Sequence, residues 1–343
     1  MHFAFDEHQL EFRAQLRAFA EKECTPAAVR EAWASPLGWS RTRWAALAEM
    51  GVVGITVPEE HGGMGLGLVD LVLLLEEAGR AGMPEPLVET AALGVPVLLD
   101  APGVQGDALR GRWLAPVADG GAAVAVGMSS MPAVPGAIGA DLLLLERDGD
   151  LHAVPAAGVA LTPRPALDGS RRLAQVEWEP SPGTLVVSGF EAEGVLAGIE
   201  DRAAMGVGAV LVGVADRLVT MAARYAQERV QFGKPIGSFQ AVKHHLADAL
   251  VRVEFARPVV YRAAWSLSEG EPDARLHASM AKAMASEAAT VAARTALQVH
   301  GAIGYTWEHD LHLWMKRAWA LAAAWGDAAA HRARVLEILL ARS

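Results

Sequence analysis

The order of apolar residues predicts a mainly α-helical chain with a small β domain set between two helical regions. Two observations carry this. Apolar side chains recur at spacings of three and four in the first third and in the last part of the chain, while between them they alternate or run in short blocks. With 343 residues, 52% of them hydrophobic, the chain can build two or three domains around a sizeable core. The expected division is an N-terminal helical domain over 1–115, a middle β domain over 116–192 and a C-terminal helical bundle over 193–343.

In the first segment, Phe12, Leu16 and Phe19 form one apolar stripe, and Pro26 closes that helix. A second helical pattern passes through Trp44, Leu47 and Met50. The stretch HGGMGLG at 61–67 then interrupts it before LVDLVLLLEEAGRAG resumes helix. In the middle, DLLLLERDGDLHAVP holds two apolar runs about Asp148 and Gly149, a hairpin in which Gly149 can take positive φ. In RRLAQVEWEP, Ala174, Val176 and Trp178 alternate with polar residues, as a half-buried strand requires. Beyond Pro182, Val207, Leu211, Val214, Leu218, Met221 and Tyr225 keep the helical rhythm, which returns from Val242 to Val260 and again over 272–300. Two shorter helices then finish a bundle.

Composition narrows the function classes. A formal charge of −10, with the 30 Lys and Arg scattered, repels phosphate backbones, so no nucleic-acid partner is expected. The single cysteine, Cys24, permits neither an intrachain disulfide nor a CxxC pair, which favours the cytoplasm. The N-terminus MHFAFDEHQLEF places acidic residues where an export signal would place positive charge, so no such signal is expected. The charge-free run from Ala203 to Ala215 falls short of the ~20 residues that cross a bilayer, so no membrane partner is expected either. No HExxH arrangement joins His244, His245, His300, His309, His312 and His331, and no metal site is proposed.

Two stretches carry chemistry. In ARYAQERVQFGKPIGSFQAVKHHLADA a helix is expected to end near Arg229, and Ser238 is placed to cap the next helix. The bland reading is a helix hairpin turn. An Arg at one helix end, an exposed Phe232 and a fresh helix N-terminus can nevertheless hold a phosphate and stack a base. In LQVHGAIGYTWEHDLHLWMKRAWA, Gly301 and Gly304 let backbone approach a ligand, beside the Gln298 amide. Elsewhere, Glu200 and Asp201 suit the first turn of a helix, and Asp327 suits the cap of the last one.

Three motifs, WAALAEMGVVGITVPEEHGGMGL, RVQFGKPIGSFQAVKHHLAD and QVHGAIGYTWEHDLHLWMKRA, resemble those of the flavin-dependent acyl-CoA dehydrogenases, in the family's order. The resemblance covers nearly the whole chain. It is greater to the short subunits of heteromeric α2β2 enzymes of bacterial steroid side-chain breakdown than to the homotetrameric fatty-acid enzymes. What it implies is an acyl-CoA dehydrogenase fold, an FAD cofactor, an acyl-CoA substrate desaturated between its α and β carbons, and an electron-transfer acceptor. The family forms tetramers in which each FAD is shared between two subunits. Carried over, Arg229, Gln231, Phe232, Gln240, Gln298, Gly301 and Ala302 would hold the ADP half of a neighbour's FAD, with Ala302 standing where the family usually has a second glycine.

The flavin-ring side departs from the pattern. The region reads GMSSMPAVPGAIGADLLLL, without a TEPxxGSD-like loop, and no W-I-T or W-I-S strand follows. Dehydrogenation also needs a carboxylate to remove the α-proton. Most relatives carry a Glu for this near the C-terminus, where AAWGDAAAHR here offers Trp325, which cannot accept a proton. A minority place the base before an Arg at the start of the first long C-terminal helix. The matching residues are Asp201, as base, and Arg202, to orient it. Two roles therefore follow from the resemblance. The chain is a catalytic subunit of a heterotetramer or homotetramer, or a non-catalytic partner that supplies the ADP-binding half to a homologous chain.

Overall fold

The computed structural model describes Ala4–Arg342. Helices α1 (Glu7–Glu23), α2 (Pro26–Ala34), α3 (Arg41–Glu49) and α4 (Leu68–Ala81) open the chain, and a π-helical stretch, Val88–Gly94, leads into α5 (Val95–Asp100) and α6 (Gly103–Ala118). The strands follow: β1 (Val124–Gly127), β2 (Val134–Pro135), β3 (Leu142–Arg147), β4 (Asp150–Pro155), β5 (Ala160–Arg164), β6 (Leu173–Glu177) and β7 (Leu185–Val187). Then come α7 (Gly189–Glu228), the short strands β8 (Val230–Gln231) and β9 (Lys234–Pro235), α8 (Gln240–Ser268), α9 (Ala274–His300), α10 (Leu311–Ala323) and α11 (Ala328–Leu340). The order is helical, then β, then helical bundle, as the apolar spacing predicts.

The chain divides into two compact units, each assembled from separate stretches. One holds the residues up to Val29, Val72–Met83 and those from Ala204 onward; the other holds Arg30–Leu71 and Pro84–Ala203.

The second of these contains strands β1–β7. Its larger sheet has the order β1-β3-β4-β7, with β1 parallel to β3 and the other pairs antiparallel, and a smaller sheet has the order β2-β6-β5. Ala125, Leu143, Leu145, Val154, Ala174 and Trp178 close a shared apolar core. The β3–β4 hairpin turns where the sequence marks it, at Asp148 (φ 55) and Gly149 (φ 84). Both central residues are left-handed, the geometry that matches the twist of a two-residue hairpin. Thr90 ties the π-helical stretch to β1, since its hydroxyl donates to the Val124 carbonyl (3.2 Å) and accepts from the Val124 N–H (3.1 Å).

In the first unit the α9 face is lined by Ala278, Ala281, Ala285, Ala288, Ala292 and Ala296, all buried, which lets α8, α10 and α11 pack closely against it. Where α4 meets α7, backbones touch. A β-carbon on Gly79 would lie 2.1 Å from the Val210 carbonyl oxygen, and one on Gly213 would lie 1.8 Å from that of Glu76. The carboxylates beside this contact are buried but fully engaged. Glu76 accepts from Arg257 Nε (3.0 Å) and the Tyr261 hydroxyl (2.5 Å), and Glu77 accepts from Arg13 Nε (2.7 Å) and Arg17 Nε (2.9 Å). Burial pushes the Glu77 carboxyl up, but the Arg17 and Arg13 hydrogen bonds outweigh it and hold its pKa below the ordinary value. Helix α7 is long and apolar enough to span a membrane, yet 78% of its apolar window is buried within the protein, which makes it a core helix.

Two local expectations are corrected. Helix α7 begins at Gly189, so Glu200 and Asp201 sit about three turns inside it and not in its first turn. The sequence puts no proline between Gly189 and Asp201, so nothing stops the helix from starting earlier. Ser238 does not cap α8. It closes a short 3-10 turn, Ile236–Ser238, and Phe239 occupies the N-cap position without a side-chain hydrogen bond.

Candidate active site

One end of the bundle gathers the residues of the two glycine-containing motifs. The α7 helix closes as the Arg229 N–H donates to the Tyr225 carbonyl (2.8 Å), and the Arg229 carbonyl then accepts from the Ile236 N–H (2.8 Å). Between them Val230 and Gln231 pair with Pro235 and Lys234, and the turn is made by Phe232 (φ 52) and Gly233 (φ 78). A non-glycine residue at positive φ is costly and worth explaining. Here it leaves the Phe232 side chain 91% exposed, edge-on to Phe239 at 6.1 Å. Because Phe239 supplies no cap, the first-turn amides of α8 at Gln240 lack a side-chain acceptor.

The second motif reaches the same end through a stack of rings. His300, the last residue of α9, lies face to face with Tyr225 at 4.3 Å, and its Nδ1 pairs with the Ala296 carbonyl at 2.7 Å. Gly301 takes φ 65 and ψ −142, backbone angles that side chains disfavour, and turns the chain outward. Gln298, Gly301 and Ala302 are consequently exposed near the Tyr225–His300 contact. A cavity of about 380 Å³ beside it is lined by Arg224, Tyr225, Glu228, His300, Glu308 and His309.

These residues fit a dinucleotide. Arg229 and the uncapped amides of α8 suit a pyrophosphate, and the Phe232 ring suits a base. The amides of Gln231, Gln240 and Gln298 are all solvent-facing donors and acceptors.

Asp201 and Arg202 belong to the other unit. Asp201 is 7% exposed, and Arg202 donates from Nη2 to Asp100 Oδ2 at the end of α5 (2.6 Å). In the same unit the Ser129 and Gly149 N–H groups donate to the Glu146 carboxylate (2.7 and 2.9 Å), so the stretch after β1 is tied to the β3–β4 hairpin.

The connection between α10 and α11 is held by a side chain that its own sequence does not single out, Lys282. Trp325 is half-buried with φ 55, and its carbonyl accepts from His331 Nε2 (2.8 Å). Lys282, wholly buried on α9, donates to the carbonyls of Gly326 (2.8 Å) and Ala322 (3.1 Å) and to the Ser286 hydroxyl (3.0 Å). A signal for it exists: in ASMAKAMASEAA this lysine falls among small residues with no stretch of polar face to hold it. Asp327 caps α11, as expected, accepting from the Ala330 N–H (2.8 Å). Among the described residues no group of three or more His, Cys, Asp and Glu is arranged to hold a metal ion.

Comparison with known proteins identifies the family. Residues 6–121 match the model of the acyl-CoA dehydrogenase N-terminal domain, and residues 200–340 match that of the C-terminal domain. Acyl-CoA dehydrogenase IpdE2 of Mycolicibacterium smegmatis is 36% identical over 307 residues, covering 89% of this chain and 90% of the relative. Among solved structures, the ChsE4-ChsE5 complex from Mycobacterium tuberculosis superposes with a TM-score of 0.86 at 25% identity, covering 99% of both chains. The Tcur3481-Tcur3483 steroid ACAD does so with a TM-score of 0.88 at 25% identity, covering 98% of this chain and 99% of that one. With both terminal domains matched and a relative this similar along most of its length, the chain belongs to the acyl-CoA dehydrogenase family, whose members are FAD-dependent oxidoreductases acting on CH–CH bonds.

Proposed function

We propose that this chain is one subunit of a cytoplasmic heterotetramer that desaturates the α,β-bond of an acyl-CoA thioester, with the acyl group a steroid side chain. The observation that carries this reading is the exposure of Arg229, Gln231, Phe232, Gln240, Gln298, Gly301 and Ala302 together at one end of the bundle. Polar and aromatic groups left open in this way need a second chain to close the ligand they hold. Arg229 and the α8 amides would bind the pyrophosphate of FAD, Phe232 would stack its adenine, and the three glutamine amides would fix its ribose and phosphates. When bound, FAD supplies the acceptor for the hydride that leaves the β-carbon. Asp201 would take the α-proton, and Arg202, held by Asp100, would keep that turn of α7 in place. The names of the Tcur3481-Tcur3483 steroid ACAD and of the two-component ChsE4-ChsE5 complex support the substrate and the heteromer. An electron-transfer protein would reoxidise the flavin.

A second reading has its own support. Asp201 is almost wholly buried and Trp325 cannot accept a proton, which favours a non-catalytic partner that completes the FAD site of a homologous chain. Purification alone, and after co-expression with a longer homologous chain, tests both readings. We expect the flavin band near 450 nm, a property of the cofactor, and acyl-CoA turnover only in the co-expressed complex. A homotetramer purified alone, carrying one FAD per chain and turning over an acyl-CoA, would overturn the heteromer.

A further inference from the structure

A guanidinium N–H that is buried without an acceptor is costly, because the charge has lost water and gained nothing in return. Arg217, on α7, is in that position. Its Nε is buried and has no acceptor among the described residues, and its Cζ lies over the Trp314 ring at 5.1 Å. Burial, and after it the neighbouring Arg80, push the Arg217 pKa below its ordinary value. The side chain lines a cavity of about 150 Å³ that lies wholly within the first unit, among α1, α4, α7 and α10. The charged groups around this cavity are Arg17, Arg80 and Arg217 against Glu21 and Glu77, which leaves one positive charge in excess. Glu77 is engaged by Arg17 (2.9 Å) and Arg80 is paired with Asp216, so the arginine left to meet a ligand is Arg217. Ala20, Pro26, Ala81 and Trp314 give the cavity an apolar wall, and the Trp314 ring is fixed because its Nε1 donates to the Arg80 carbonyl (3.0 Å). A cavity of this volume can hold a molecule the size of benzene, about six non-hydrogen atoms.

We propose that this cavity is a binding site for a small monocarboxylate, whose carboxylate pairs with the Arg217 guanidinium and whose short apolar chain lies against Trp314, Pro26 and Ala81. A guanidinium matches a carboxylate through two parallel hydrogen bonds, which would give the buried Nε its acceptor. A single negative charge cancels the excess in the lining, whereas a dianion would meet Glu21 and Glu77 without a second uncommitted arginine. Arg217 also borders the 380 Å³ cavity beside Tyr225 and His300, but there Glu228, Glu308 and Asp310 outnumber Arg217 and Arg224, so the smaller cavity is the one that favours an anion.

Isothermal titration of the purified protein with sodium butyrate at low ionic strength tests the site. Butyrate should bind once per chain with a Kd of about 1 mM or tighter, and butyramide, of the same size without the charge, at least about ten-fold more weakly. Arg217→Met removes the guanidinium and should weaken butyrate at least about ten-fold. Without butyrate its Tm should equal or exceed that of the wild type, because an unsatisfied charge has been removed, whereas loss of a purely structural arginine would lower it. The proposal is overturned by no saturable binding of butyrate, by equal binding of butyramide, or by sulfate binding more tightly than butyrate. It is overturned equally if Arg217→Met binds butyrate as the wild type does or melts lower. If Arg217→Met does not fold, Ala81→Met, which lengthens a side chain of the cavity wall, should abolish butyrate binding, and retained binding would overturn the site. Flavin content and acyl-CoA turnover enter none of these readouts, so the outcome is independent of the function proposed above.

Discussion

Arg202 donates to Asp100 across 2.6 Å, joining the interior of α7 to the last residue of α5, one position away from the buried Asp201. The arginine is mostly shielded, and a β-carbon on Gly198 would lie 3.2 Å from its Nη1. Gly198 therefore leaves room for the guanidinium to lie along the helix, one turn before Arg202. If Asp201 removes the α-proton, Asp201→Asn leaves folding and flavin content unchanged and lowers turnover by about 10²-fold or more. Asp100→Asn, which keeps Asp201, has a smaller effect on turnover and costs about 1 kcal/mol of stability, because Asp100 is partly exposed and solvent screens the pair. Steady-state rates and denaturant midpoints measured on both variants separate the two roles. Turnover of Asp201→Asn within a few-fold of wild type assigns the proton transfer to the partner chain.

At the bundle end, Arg229→Ala removes a charged donor from the ADP-binding group. A charge-assisted hydrogen bond contributes about 1.5–3 kcal/mol, so FAD affinity should fall by roughly 10- to 150-fold. Flavin per chain after gel filtration of the assembled complex reads this directly. An unchanged flavin content removes Arg229 from the cofactor site. Phe232→Gly, at a backbone angle that glycine adopts freely, should weaken FAD while leaving the hairpin as stable as before.

The contact between α4 and α7 sets a limit on side-chain size. Gly213 lies so close to the Glu76 carbonyl that alanine there must push the helices apart, and Gly79 faces Val210 in the same way. We expect Gly213→Ala to cost about 1–3 kcal/mol, seen as a lower denaturant midpoint, with part of the cost arising from the displaced Glu76 and its bonds to Arg257 and Tyr261. Gly111→Ala is the control, since its β-carbon meets nothing and it lies within α6, where alanine is the better helix former. A Gly213→Ala variant as stable as wild type would show that the helices separate without cost.

Much of this was legible in the sequence because burial of an amphipathic helix leaves a period. Leu211, Val214 and Leu218 are buried as their spacing requires, and the β3–β4 hairpin turns at Asp148 and Gly149. The start of α7 carries a signal, Ser188 three residues before Glu191, but Gly189, Gly194 and Gly198 weaken the helical pattern that follows it, and Asp201 lies inside the helix and not at its start. Residue type marks Ser238 as a cap, whereas capping depends on the backbone angles of the turn before it. The burial of Lys282 is only weakly legible in the sequence, because lysines belong mostly to the surface and its acceptors at Ala322 and Gly326 lie about forty residues away.

Four histidines, three of them buried, give the fold a dependence on pH whose sign can be worked out. Burial is the main cause that lowers the pKa of His152, His277, His300 and His331, and at His331 the neighbouring Lys282 adds to it. Each is depressed below the ordinary 6.5, so below that pH the unfolded chain binds protons that the folded chain does not. Their contribution is complete above about pH 6.5 and is lost as pH falls toward the folded values, at up to about 1.4 kcal/mol per histidine for each pH unit. At His331 the reason is visible: Nε2 is committed to the Trp325 carbonyl, and Nδ1 is buried without an acceptor for a second proton. Glu85 acts in the opposite sense, because burial raises its carboxyl above the ordinary 4.5 despite Arg43, and folding gains as that carboxyl takes up a proton. Glu77, with its pKa lowered, begins to lose its contribution only below about 4.5. Thermal unfolding followed from pH 7.5 to 5.5 should therefore show Tm falling with pH, and His331→Gln, which keeps a donor without a titrating ring, should flatten the slope. A Tm that does not change across this range would show that these imidazoles take up protons in the folded chain as easily as in the unfolded one.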